Sequence, residues 1–98
     1  MSTRSLQLEG TKIRSEADFY TALAAAFPEI LPGFGHNLDA LWDVLSGSIE
    51  GPFEIVWLEA DRSAAALGPR FSAILDVLQE AAASRADMTL RIEGLTSP

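Results

Sequence analysis

Asp39 and Asp43 stand four residues apart, so on a helix their carboxylates stack one turn above the other, with Ser46 close to them. Such a pair could hold a divalent cation, work as an acid/base couple, or present two phosphate-like charges to a cationic partner. Asp76 and Glu80 repeat the spacing further on. His36 is the only histidine and there is no cysteine, so no second imidazole or thiolate is available to complete a metal site. A nucleophile motif, a glycine-rich phosphate loop and a histidine pair are all missing. Asp39, Asp43 and Glu80 as acid/base groups or magnesium ligands therefore form a competing hypothesis only. The expected reading is a non-enzyme without a cofactor.

The aspartates sit in the run from Gly35 to Gly47. Asn37 reads as a helix cap, and Leu38, Leu41, Trp42 and Leu45 follow the i, i+3, i+4, i+7 pattern of one apolar stripe. This predicts a helix from about Leu38 to Leu45, closed by Gly47. Two like charges at i, i+4 repel by a few tenths of a kcal/mol. Asp39 recovers part of that from the helix dipole, and Asp43, a turn later, recovers less. A local cost without local return suggests acids that serve something outside the domain. A plain solvated helix face explains the same pattern.

The remaining elements are read from caps, breakers and periodicity. Ser5 to Glu9 alternates and meets Gly10, which predicts a strand and a turn. Ser15 followed by Glu16 and Asp18 predicts a helix start, and that helix stops before Pro28. Pro28 to Gly35 reads as a loop. Phe53 to Leu58 predicts the most buried strand. Asp61 is the expected cap of a short helix ended by Gly68, and Pro69 opens a helix to about Ala83. Met88 to Ile92 predicts the last strand, and 94–98 a flexible tail. The order β-α-α-β-α-α-β favours a small three-stranded parallel sheet packed against helices, one face better covered than the other.

The chain has 98 residues and 48% hydrophobic residues, which suits a single folded domain. Fourteen acidic residues against seven basic ones give a net charge of −7. Nucleic-acid binders carry the opposite balance, so the expected partner is a cationic protein, not nucleic acid. No signal peptide or membrane span is apparent, which leads to the expectation of a cytoplasmic protein.

The run Asn37-Leu38-Asp39-Ala40-Leu41-Trp42-Asp43, with Gly35 before it and Leu45 and Gly47 after it, resembles the inhibitory helix of the barstar family of intracellular ribonuclease inhibitors. Leu8, Gly10, Ile13-Arg14-Ser15, Asp18, Leu23, Trp57, Leu75, Val77, Glu80-Ala81 and Ala86-Asp87 extend the resemblance along the chain. It implies a three-stranded parallel sheet on helices, no catalysis, and a helix that plugs the active site of a basic, barnase-like ribonuclease. Its carboxylates would take the place of RNA phosphates in a one-to-one complex with a monomer. By position, the resemblance makes Asp43 the central carboxylate, Asp39 its neighbour and Glu80 an outer contact. Gly35 and Asn37 would shape the docking loop and Trp42 would pack beside it. Phe34, His36 and Ser46 complete the candidate contact set.

Departures fall on the rim. Gly33 replaces an aromatic residue of the family's best-known member, His36 an acid and Ser48 a tryptophan. The partner is then a ribonuclease or a related toxin. The alternative is an interaction module for a basic toxin or peptide that is not a ribonuclease.

Overall fold

A computed structural model describes residues 3–30 and 35–95. The elements are β1 (Arg4–Glu9), α1 (Glu16–Ala26), α2 (Leu38–Asp43) running into a π-helical turn (Val44–Ser48), β2 (Phe53–Leu58), α3 (Ala60–Leu67), α4 (Pro69–Ser84) and β3 (Met88–Ile92). The expected order β-α-α-β-α-α-β is the observed one. The strands form one parallel sheet in the order β1-β2-β3, with Leu6 opposite Ile55, Leu8 opposite Trp57, Phe53 opposite Met88 and Ile55 opposite Leu90.

Neighbouring parallel strands taken in sequence order dictate which face the helices cover. Both crossovers step the same way across the sheet, and a right-handed crossover then puts both helix pairs on one face. Leu6, Leu8, Phe53, Ile55, Trp57 and Met88 face that side and share one core with Phe19, Tyr20, Leu23, Leu41, Leu45, Phe71, Ile74 and Leu78. The alternate residues Ser5, Gln7, Glu9, Thr89 and Arg91 are exposed on the other face. Val56 alone is fully covered there, flanked in register by Gln7 and Arg91. The two faces are therefore unequally covered, as expected.

Local signals start and stop the helices. The Ser15 hydroxyl accepts the Asp18 N–H at 3.1 Å, and α1 ends at Ala26 before Pro28. Gly68, at φ 61°, separates α3 from α4, and Pro69 opens α4. Two expectations need correction. The residue before α3 is Glu59, in the left-handed conformation at φ 48° and ψ 47°, and Asp61 lies inside the first turn. Gly47 does not cap α2: the chain widens into a π-turn, and the Ile49 N–H donates to the Val44 carbonyl at 3.1 Å.

Trp57 is the centre of the core. It stacks on Phe19 at 5.5 Å between ring centroids and meets Phe71 edge-on at 5.1 Å. Its Nε1–H donates to the Ser63 hydroxyl at 2.9 Å, and that hydroxyl donates to the Gly10 carbonyl at 3.1 Å. Ser63 thus closes the hydrogen bonds of a buried indole and ties α3 to the end of β1.

Candidate functional site

Residues of α2 are split between two faces of one short helix. Leu41 and Leu45 are fully buried, Val44 nearly so, and Leu38 is half-buried. Trp42 is 36% exposed, which corrects its place in the apolar stripe: Val44 takes the inward position and Trp42 turns outward. Asp39, Trp42, Asp43 and Ser46 then follow the i, i+3, i+4, i+7 spacing on the outward side. The inward stripe packs against α4, which fixes the direction in which the outward row points.

The helix start is set by Asn37, whose Oδ1 accepts the Ala40 N–H at 2.8 Å. At the other end the Ser46 hydroxyl donates to the Trp42 carbonyl at 2.6 Å, one turn back along the helix. Ser46 is half-buried and its hydroxyl hydrogen is already engaged, which leaves the oxygen as an acceptor. Arg85 donates to the Leu45 carbonyl at 2.7 Å and lies over the Phe53 ring at 4.9 Å, anchoring the same turn to the body of the protein.

Asp39 and Asp43 are exposed, and neither forms an ion pair with any described residue. His36 is also exposed, and its ring stacks on Tyr20 at 5.2 Å. Tyr20 donates to Glu16 at 2.9 Å, and Arg70 grips the same carboxylate at 2.8 and 3.1 Å. Burial, then the bond to Glu16, pushes the Tyr20 hydroxyl pKa upward. Arg70 holds the Glu16 carboxyl below its ordinary range. This chain of contacts fixes the approach to α2 from the α1 side, and its long-range pairs carry no signal in the sequence.

Among the other candidates, Gly35 and Asn37 are exposed just ahead of α2. Glu80 is exposed on α4, the helix that α2 packs against. Phe34 and Gly33 lie outside the described residues. The structure thus gathers His36, Asn37, Asp39, Trp42, Asp43 and Ser46 along one helix and its entry. Among the described residues no group of three or more His, Cys, Asp or Glu is placed to hold a metal ion. No described helix is long and apolar enough to cross a membrane.

An exposed indole beside two stacked carboxylates is suited to gripping a cationic protein surface. The ring supplies apolar area, and each carboxylate can take a guanidinium in bidentate fashion. A curated relative, "Putative ribonuclease inhibitor YrdF" of Bacillus subtilis (strain 168), is 42% identical over 48 residues. That stretch is 49% of this chain and 53% of the relative, so the chain spans about half the length of the relative it matches. The family model described as Barstar (barnase inhibitor) matches residues 3–93, and with the parallel sheet, the helix order and the acidic α2 this places the chain in the barstar family.

Proposed function

We propose that the chain inhibits a basic ribonuclease by inserting the outward face of α2 into its active site. The observation that carries this reading is the row Asp39, Trp42, Asp43: two carboxylates that form no ion pair with any described residue, beside an exposed indole. Asp43 is the central carboxylate and Asp39 its neighbour, each standing in for an RNA phosphate. Arginines of the enzyme would grip them as they grip phosphate. Gly35 and Asn37 shape the entry, and Phe34, His36 and Ser46 line the edge of the contact. Glu80 reaches the partner from α4. The chain acts as a monomer, one to one, in the cytoplasm, and it is a ligand for an enzyme, not an enzyme itself. Membership in a family described as barnase inhibitors supports the reading, as does the relative named as a ribonuclease inhibitor.

Burying a carboxylate is costly unless it is paired, so only a partner with matching cations gains from the contact. The net charge of −7 steers such a partner inward and slows the encounter as salt rises. Inhibition of a barnase-type ribonuclease by the purified chain, with and without Asp43→Ala, tests the proposal. The wild type should inhibit and the variant should lose most of the effect while melting at the same temperature. Equal inhibition by Asp43→Ala and Asp39→Ala would remove α2 as the inhibitory element. His36 and Ser48 flank the helix where the family's best-known member carries an acid and a tryptophan. They favour a second reading in which the partner is a basic toxin that is not a ribonuclease. Co-purification from the native host separates the two.

A further inference from the structure

Five of the seven basic residues are tied to acids: Arg4 to Glu29, Lys12 to Glu9, Arg70 to Glu16, Arg85 to Asp87 and Arg91 to Glu93. The other two, Arg14 and Arg62, form no ion pair with any described residue. Both line the same cleft. It has a volume of about 410 Å³ and lies between the turn after β1 and α3, with Gly10, Thr11, Ala65 and Ala66 completing its wall. In a chain with twice as many acids as bases, two arginines that form no ion pair with any described residue and line one concavity call for an explanation.

The cleft lies outside the carboxyl end of the parallel sheet. Gly10 and Thr11 follow the end of β1, and Arg62 sits in the first turn after β2. Three features make the wall rigid. The Gly10 N–H donates to the Leu58 carbonyl at 2.7 Å, and the Gly10 carbonyl accepts the buried Ser63 hydroxyl. Gly10 also packs so closely on the Glu59 carbonyl that a Cβ would collide with it. Glu59 itself holds a left-handed conformation that non-glycine residues rarely adopt, and such strain gathers at functional sites. Glu9, the acid at the end of β1, is occupied by Lys12 at 2.9 Å.

We propose that this cleft binds a small organic phosphate monoester. The Arg14 and Arg62 guanidiniums and the Thr11 hydroxyl would hold the dianion, and the Ala65 and Ala66 methyls would lie against its organic part. Two arginines suit a dianion better than a monocarboxylate, because phosphate carries about −1.5 to −2 charges at pH 7. The volume falls within the range of about 300–1,000 Å³ typical of small-molecule sites. No residue of α2 lines the cleft, nor does any described residue of the loop before it, so ribonuclease inhibition and phosphate binding can fail independently.

The test is an amide NMR titration of the full chain with phenyl phosphate, inorganic phosphate and benzoate at low salt. Phenyl phosphate should give saturable shifts at Gly10, Thr11, Ala65 and Ala66, with Kd on the order of 1 mM or tighter. Arg14→Gln and Arg62→Gln should each weaken it by about tenfold, the size of one lost charge-assisted contact. Both side chains are exposed, so the variants should fold, as far-UV circular dichroism can verify. Lys12→Gln, outside the cleft, should bind like wild type. Weaker binding of inorganic phosphate would support a role for the alanine wall. Benzoate binding as tightly as phenyl phosphate would overturn the assignment to phosphate. Absence of saturation, or unchanged affinity in the Arg14→Gln/Arg62→Gln double variant, would overturn the site itself.

Discussion

Glu29 and Asp43 are both acids near one end of a helix or turn, yet the molecule treats them in opposite ways. Glu29 takes Arg4 through both oxygens and also accepts the Glu50 N–H at 3.0 Å, joining the start of β1, the chain after α1 and the chain before β2. Arg4 in turn donates to the Glu50 carbonyl and lies over the Phe27 ring at 5.2 Å. Glu16 is engaged as fully, by Arg70 and Tyr20. Asp39 and Asp43 form no ion pair with any described residue. Glu29 and Glu16 each take an arginine brought from far along the sequence, Arg4 across 25 residues and Arg70 across 54. α2 instead stacks two like charges that repel, with no ion pair to any described residue, beside an exposed tryptophan, and that local cost finds no return within the described fold.

The sharpest way to break this contrast is to exchange the two kinds of acid. Asp43→Ala should leave stability within about 0.5 kcal/mol, as for most surface changes. It should weaken ribonuclease binding by about 2–5 kcal/mol, the range for truncating a buried charge pair, which the barnase–barstar interface itself helped to set. Inhibition titrations and urea melts on the same samples read both. A stability loss as large as the binding loss would place Asp43 among the structural acids.

Acid pH should act on the engaged acids. The hydrogen bonds from Arg4 hold the Glu29 carboxyl down from 4.5 to about 2, and Arg70 and Arg85 depress Glu16 and Asp87. A depressed folded-state pKa means that the unfolded chain binds the proton first. The stabilisation from Glu29 is therefore complete above pH 4.5 and is lost as the pH falls towards about 2. Urea midpoints measured across that window should fall for the wild type and fall less steeply for Glu29→Gln. Identical slopes would show that the Arg4 contact does not matter in solution.

Asn37→Ala removes the cap of α2 and should cost about 1 kcal/mol, read as a shift in the urea midpoint. It should also weaken inhibition, because it loosens the helix that presents the aspartates. Tyr20→Phe keeps the ring under His36 but deletes the bond to Glu16. It should cost about 0.5–1.5 kcal/mol of stability and leave inhibition unchanged. The smallest effect belongs to Asp39→Asn/Asp43→Asn, which should gain a few tenths of a kcal/mol of stability by relieving the i, i+4 repulsion. A loss there would mean that the α2 acids contribute to the fold after all.

The sequence by itself determined the elements and their order. Ser15 and Asn37 cap their helices through bonds three residues long, Gly68 and Pro69 divide two helices, and the run Phe53–Leu58 is the buried strand it reads as. These signals act within one turn or one strand, so they survive without knowledge of the rest of the chain. The acidic character of α2 was equally plain, because spacing alone stacks Asp39 over Asp43.

Only the tertiary structure decided which groups meet. It turned Trp42 out and Val44 in, because a helix as short as α2 must offer its partner α4 one narrow stripe. It buried Ser63 beneath Trp57 and Gly10, and it put Glu59 in a left-handed turn where Asp61 looked like the cap. It brought Arg70 to Glu16 across 54 residues and Arg4 to Glu29 across 25, leaving Arg14 and Arg62 on one cleft with no ion pair to any described residue. Such pairings depend on where the crossovers lay the helices on the sheet. That placement follows from the fit of all the apolar faces at once, which no local pattern records.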